Sequence, residues 1–438
     1  MVAEERGARR EMTYGMLGGG SGAFIGEVHR KAIALDGSAR LAAACFSRDH
    51  VASRKTGQSL GLADDRVYPS FETMAARESD REGGIDFVVV ALPNHLHYAA
   101  CRAFLDAGVH VVCEKPLCFS RAEAEDLGRR AKDRGLLFCV NHTYTGYPAV
   151  KEIRELIHSG AIGDIRFVNA EYASDWLAAK GVEEANPQAR WRMDPATAGK
   201  SNCLADIGTH VEDLVSYATG LRISRLLARL DTLVEGRALD DNASVLLDYE
   251  GGAKGFYWSS QVAIGRDNGL RLRVFGSRGS VEWKQEEPNH FRLDRLNGPA
   301  EIWSRGRDGF HAAARAYSRL PCGHPEGYIE AMANIYRAFV AELARLDAGL
   351  GPSPEGADFP SVERGIDGVR FVDACVESSK RGAAWVDFQS VAHNAVNDAP
   401  RDDRPRGRSD PPSGAIPKTA EATIDNPASA TREGGSFS

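Results

Sequence analysis

Two short stretches of this sequence hold the side chains best suited to moving a proton. CEKP at 113–116 sets Lys115 just behind the apolar run HVVC, where a strand tip aims it into a cleft rather than into solvent. DIGTHVEDL at 206–214 spaces Asp206 and His210 four residues apart, so a helix carries both on one face. On that face the carboxylate can orient the imidazole and stabilise its charged form. Oxidation of an alcohol needs such a set: a base working near its own pKa to take the hydroxyl proton, and a cation to stabilise the developing alkoxide. His210 suits the base and Lys115 the cation, with Asp206 in support.

The partner for such chemistry is suggested by YGMLGGGSGAFIGEVHRKAI at 14–33, which runs from a strand through a glycine-dense turn into a helix. That is the context in which a glycine motif marks a dinucleotide site: glycines let backbone amides approach a pyrophosphate, which sits on the positive end of the helix. Gly18 and Gly20 fill the first two positions of the fingerprint and Ala23 the third, while Gly26 offers a second register with an expanded loop. In either register Ser21, Gly22, Ala23 and Phe24 lie close to the cofactor, and Ile25 is counted with them. ALPNHLH at 91–97 also ends an apolar strand, and its Pro93, Asn94 and His97, with Glu114 and Lys115, are placed to touch a nicotinamide ribose. The next strand after the turn ends in ACFSRDH, with Ser47 and Arg48 at its tip. A 2′-hydroxyl is read by an acidic residue there, a 2′-phosphate by small polar and basic groups. Arg48 can clamp a phosphate or stack on adenine, Asp49 can still reach the ribose, and a merely solvated Arg48 is as good a reading. NAD and NADP both stay open.

The elements that must position these groups follow from hydrophobic patterning. Apolar runs at 14–17, 41–46, 85–92, 110–113 and 136–140 alternate with helical spacing, clearest at 97–107 and 122–134. Repeated strand–helix alternation predicts βαβ units and a parallel sheet, and runs apolar throughout fit strands covered on both faces. After about Tyr147 a helix at 149–160 leads into period-two segments at 165–172, 244–249, 255–261, 270–275 and 280–284, with hairpin turns EGG at 250–252 and GSRG at 276–279. The fold class is therefore an α/β domain with a parallel sheet, followed by an α+β domain with a large, open-faced, mainly antiparallel sheet. The domains are expected at 12–147 and 148–388, with late helices at 326–346 and 361–379 packing back on the core. Residues 1–11 read as a polar leader. The segment 389–438 reads as a disordered tail: from Ser390 it has no Leu, Met, Trp, Tyr or Cys and carries six prolines. An open sheet face usually becomes a subunit interface, so a homodimer or homotetramer is expected.

Composition narrows the class. Among 438 residues, Asp and Glu outnumber Lys and Arg by 61 to 54, a net charge of −7 that argues against nucleic-acid and anionic-membrane partners. The longest apolar runs, such as FVVVAL, fall far short of the about 20 residues that span a bilayer. The charged start MVAEERGARREM is no secretory signal, and eight cysteines without a CxxC pair read as reduced thiols. A cytoplasmic protein without a metal site is expected.

Taken in order, the glycine turn, ALPNHLH, EKP at 114–116 and DIGTH at 206–210 resemble the Gfo/Idh/MocA oxidoreductases, the glucose–fructose oxidoreductase and inositol dehydrogenase group, over roughly residues 12–388. The resemblance implies a Rossmann domain, a C-terminal open-faced sheet domain and a nicotinamide cofactor between them. It also implies that Lys115, Asp206 and His210 form the catalytic group. Leu92 stands where the family commonly has threonine, which removes one hydrogen bond to the cofactor, and the GGGSGAFIG loop is richer in glycine than the usual family turn. NHTYTGYP at 141–148, SDWL at 174–177 and ARWRMD at 189–194 interleave aromatic and polar groups as a sugar site does. Tyr144, Trp176, Trp191 and Arg192 are the candidates there, beside Asp206 and His210. The expected function is reversible NAD(P)-dependent oxidation of a secondary hydroxyl on a sugar, sugar derivative or inositol-like polyol. The rival is a nucleotide-binding regulator of the same fold, which would be free to lose Lys115 or His210.

Overall fold

Five parallel strands begin the structure, a computed structural model that describes residues 11–354 and 356–389. Apart from Glu11 and Gln389, the expected leader and tail lie outside the described residues. The strands are β1 (Thr13–Gly18), β2 (Arg40–Cys45), β3 (Phe87–Ala91), β4 (His110–Cys113) and β5 (Phe138–Val140), in the order β2-β1-β3-β4-β5. Between them run α1 (Phe24–Leu35), α2 (His50–Ser59), α3 (Phe71–Ser79), α4 (His97–Asp106) and α5 (Arg121–Asp133). Every residue of β1 is buried, as the uninterrupted apolar pattern requires of a strand covered on both faces. The order reverses between β1 and β3, and that switch point is where an open α/β sheet binds ligands. Gly18 and Ala91 end the two strands side by side in register.

The chain continues through α6 (Pro148–His158), β6 (Ile165–Ala173) and three short helices, α7 (Val182–Ala185), α8 (Pro187–Met193) and α9 (Pro195–Ala198). After these come α10 (Thr209–Thr219), β7 (Ile223–Asp231), β8 (Asn242–Tyr249), β9 (Lys254–Ser260), β10 (Gly269–Gly276), β11 (Gly279–Lys284), β12 (His290–Arg295) and β13 (Ala300–Ser304). The chain then adds α11 (Ala312–Arg315), α12 (Tyr328–Asp347), α13 (Val362–Lys380) and β14 (Val386–Asp387). Nine strands form one sheet in the order β13-β12-β11-β10-β6-β9-β8-β7-β14, antiparallel throughout except for the β6–β9 pair. The turns at 250–252 and 276–279 join β8 to β9 and β10 to β11 as hairpins.

Alternate residues of β6, Val168, Ala170 and Tyr172, face the core with Leu214 and Val215 of α10 and Phe371 of α13. The other face carries Phe167, Leu246 and Phe275 exposed. Its strands align Leu227 with Leu246, Leu246 with Phe256, and Phe167 with Phe275 across the ladders. α12 does not stay with this sheet. Its Met332, Ile335, Tyr336 and Phe339 pack under the first sheet against Met16, Ile33 and Phe87, while α13 lies between α5 and β7. Both sheets thus belong to one compact unit. No described helix is long and apolar enough to cross a membrane.

Candidate active site

The glycine turn is held by contacts that admit no side chain. Gly18 has φ +71°, and a Cβ there would stand 2.3 Å from the Ala91 carbonyl oxygen. A Cβ on Gly26 would stand 2.2 Å from the Gly19 Cα, so α1 can press against the turn only with glycine at both places. Gly26 therefore performs the close helix packing of the third fingerprint glycine, the expanded register of the two read from sequence. Ala23 caps α1 without a side-chain hydrogen bond, which leaves the first-turn amides to an incoming anion. These features fit a pyrophosphate.

From this turn a cavity of about 870 Å³ extends along Gly18, Gly20, Ser21 and Ala23 past Ser47 and Arg48 to α2. A second cavity of about 540 Å³ shares Ala23, Ala91, Leu92, Pro93 and Gln188 with it and is lined by Phe24, Ile25, Asn94, Glu114, Lys115, Tyr144, Trp176, Trp191, Arg192, Asp206 and His210. The residues singled out from sequence as touching cofactor or substrate line one of the two, except Gly22, Gly26, Asp49 and His97. His97 is fully buried, and its ring nitrogens stand 2.8 Å from the Leu92 carbonyl and 2.9 Å from that of Pro116. It ties the ALPNHLH and EKP loops together from behind rather than facing the cleft.

Lys115 donates from Nζ to the Asp206 carboxylate at 2.8 Å and to the Asp206 carbonyl at 2.7 Å. The other carboxylate oxygen accepts from Gln261 Nε2 at 2.8 Å and lies 3.4 Å from Arg192 Nε. Burial pushes the Asp206 carboxyl up, but the Lys115 and Arg192 cations overcome it and hold the group well below the usual carboxylate range. The expectation that Asp206 orients His210 is corrected here: the Asp206 carboxylate is committed to Lys115, Gln261 and Arg192. The segment Leu204–Gly208 is π-helical, and Asp206 acts on His210 through its charge, which raises the imidazole pKa, rather than through a hydrogen bond.

His210 opens α10 and is buried, with its Nδ1 3.4 Å from Nδ1 of His142. Burial, then Lys115 and His142, lower its pKa well below the ordinary histidine value, against the raising effect of Asp206. It is therefore a neutral imidazole at physiological pH. Tyr144 and Tyr172 flank it, ring centroids 4.8 and 6.1 Å away, and their hydroxyls bond to one another at 2.6 Å and to Asn268. Arg192 lies over the Trp191 ring at 4.2 Å. Glu114 accepts from Asn141 at 2.6 Å and meets His29 Nε2 at 3.0 Å, so its charge is satisfied inside the wall.

Several lining residues were not among the sequence candidates: Asn141, Tyr172, Gln188, Asp267 and Asn268 in the second cavity, Lys55 and Thr56 in the first. Lys55 and Thr56 share a helical face with Ala52 and Ser59, a spacing readable once α2 is known to border the cofactor strand. Asn268 and Gln261 come from strand ends far along the chain, and nothing local marks them.

Comparison with known proteins agrees with this architecture. Residues 12–142 match the model of an oxidoreductase family with an NAD-binding Rossmann fold, and residues 150–282 match the Gfo/Idh/MocA C-terminal domain. The chain is 35% identical to an uncharacterized oxidoreductase, YfiI, of Bacillus subtilis strain 168, over 89% of this chain and all of that one. A solved inositol dehydrogenase homolog of Azotobacter vinelandii, complexed with NAD+, superposes with a TM-score of 0.84 at 40% identity, covering 86% of this chain and 97% of that one. The levoglucosan dehydrogenase of Pseudarthrobacter phenanthrenivorans is 27% identical over 87% of this chain and all of its own length.

Proposed function

Because the chain belongs to the Gfo/Idh/MocA oxidoreductases, NAD(P)-binding dehydrogenases in two parts, we propose that it reversibly oxidises a secondary hydroxyl of a neutral cyclic polyol or sugar, with an inositol as the leading class. The observation that carries this reading is the convergence of the Lys115–Asp206 pair and His210 where the glycine-turn cavity meets an aromatic-walled one. An inositol dehydrogenase homolog solved with NADH and myo-inositol, 38% identical with a TM-score of 0.82, supports the choice of class.

In this reading residues 12–147 bind the dinucleotide and residues 148–388 supply the substrate wall and the subunit interface. Lys115 hydrogen-bonds the reacting oxygen and stabilises its developing negative charge. Asp206 keeps Lys115 in place and charged. His210, neutral before reaction, accepts the hydroxyl proton, and its Nδ1 contact with His142 orients the ring. The nicotinamide, when bound, supplies the hydride acceptor. Tyr144, Tyr172, Trp176 and Trp191 stack on C–H faces of the ring, while Asn268 and Arg192 read hydroxyls. The two cations lining the substrate cavity, Lys115 and Arg192, both face Asp206, an arrangement that suits a neutral ring.

The test is a panel of inositols, hexoses and anhydrosugars followed by nicotinamide absorbance, then Lys115→Ala and His210→Ala on the substrate found. Each variant is expected to lose turnover by about 10²-fold or more with dinucleotide binding retained. Wild-type turnover in both would refute the assignment.

A further inference from the structure

The cofactor cavity ends on charges that do not suit a plain ribose. Asp49 is the acidic residue nearest the tip of β2, and its carboxylate is turned into α2, where it accepts from the amides of Val51 at 2.9 Å and Ala52 at 3.1 Å. It is not part of the cavity wall. The wall there is made instead by Ser47 and Arg48 from the strand tip and Lys55 and Thr56 from the facing side of α2. Among the described residues no carboxylate lies within 4.0 Å of either Arg48 or Lys55, whereas the neighbouring Arg54 is paired with Asp64 and so removed from the site. The only carboxylate on this wall is Glu72, at the start of α3.

A ribose 2′-hydroxyl is read by a carboxylate at the strand tip; the one there, Asp49, serves as a helix cap, and the wall's own carboxylate, Glu72, comes from α3 rather than from the strand tip. Two cations with no carboxylate partner among the described residues, beside the Ser47 hydroxyl, present the opposite chemistry, that of a phosphomonoester dianion, while the Thr56 hydroxyl donates to the Ala52 carbonyl at 3.1 Å and only borders the site. We infer that Ser47, Arg48 and Lys55 form a 2′-phosphate subsite, and that the chain uses NADP(H) in preference to NAD(H). The inference rests on the dehydrogenase reading for the presence of a dinucleotide, and it settles which one.

Direct binding tests it without substrate. NADPH and NADH are titrated by nicotinamide fluorescence, and 2′,5′-ADP and 5′-AMP by calorimetry, against the full chain and Arg48→Ala/Lys55→Ala. NADPH and 2′,5′-ADP are expected to bind at least about tenfold more tightly than their unphosphorylated counterparts. Because Arg48 and Lys55 are exposed, that margin should shrink as salt is raised. The double variant should lose the margin, its NADPH and 2′,5′-ADP affinities falling about tenfold or more further than its NADH and 5′-AMP affinities. Equal or tighter NADH binding by the wild type, or a margin that survives in the double variant, overturns the subsite. Tight NADH binding with intact polyol oxidation would overturn this inference alone, while failure to bind either dinucleotide would overturn the dehydrogenase reading with it.

Discussion

Gly26→Ala separates packing from propensity at the glycine turn. Gly26 lies in the first turn of α1 with a helical backbone, so by propensity alone alanine should stabilise by about 1 kcal/mol. The structure reverses the sign. The added Cβ would meet three backbone atoms of Gly19, the Cα at 2.2 Å, the oxygen at 2.6 Å and the carbon at 2.8 Å. From 2.2 Å to an ordinary contact at 3.4 Å is a displacement of about 1.2 Å, and no side-chain rotation can supply it. The turn is also fastened, since Arg30 Nη1 donates to the Gly19 carbonyl at 2.7 Å. Such overpacking costs about 1–3 kcal/mol. A shift near 1 Å breaks hydrogen bonds to a pyrophosphate, and each bond to a charged group contributes about 1.5–3 kcal/mol. Dinucleotide Kd should therefore rise about 10- to 150-fold per bond lost, measured by fluorescence titration. Gly368→Ala in α13 is the matched control: its nearest neighbour would be Thr209 Cγ2 at 4.0 Å, so it should raise Tm slightly and leave Kd alone. A Gly26→Ala protein with unchanged Kd and a Tm no lower than wild type would refute the packing argument.

Three further outcomes follow from the same geometry. The acid limb of kcat/KM should lie below the ordinary histidine range, because a base with a lowered pKa stays neutral to lower pH; Asp206→Asn should move the limb further down and Lys115→Met should move it up, read from pH–rate profiles of the residual activity. Burial, reinforced by Asp213, pushes the Glu212 carboxyl up to about 8, so the folded state holds a proton that the unfolded chain releases near 4.5. Stability falls as pH climbs through that window, and Glu212→Gln should show a Tm advantage over wild type that is small at pH 5 and grows toward pH 8. Leu246→Arg, on the exposed sheet face among Leu227 and Phe256, should shift an oligomer toward monomer in light scattering without loss of helical signal; an unchanged mass would remove that face as the interface.

The sequence made the first sheet legible because its strands are short apolar runs punctuated by capped helices, such as Asp49 before α2 and Ser120 before α5. In the second sheet β7 escaped: the doubled Leu226–Leu227 breaks its alternation, and Leu227 faces the open side. β13, AEIWS, is an edge strand with no fully buried residue, and β12, HFRLDR, does alternate, but its two buried residues, Phe291 and Leu293, are too few among charges to stand out. At the site, Lys115 and His210 were readable because each ends or begins a regular element beside a glycine or proline. The partners of Asp206 were not, because Lys115 and Gln261 lie 91 and 55 positions away and spacing along one helix cannot show them. The His142 contact joins residues 68 positions apart, beyond what a local pattern can encode.

The return of α12 beneath the first sheet makes the order of synthesis matter. His29 and Tyr336, bonded at 2.6 Å, are 307 residues apart, and Met332, Ile335 and Phe339 close the floor on which Met16 and Phe87 rest. When β5 has left the ribosome, about 200 residues remain to be made before that floor can close, roughly 10–40 s at ~5–20 residues per second. Through that interval the nascent nucleotide-binding half presents an apolar face with nothing to cover it. Holdase chaperones have their opening there, and a fragment cut at residue 147 would keep that face exposed for good.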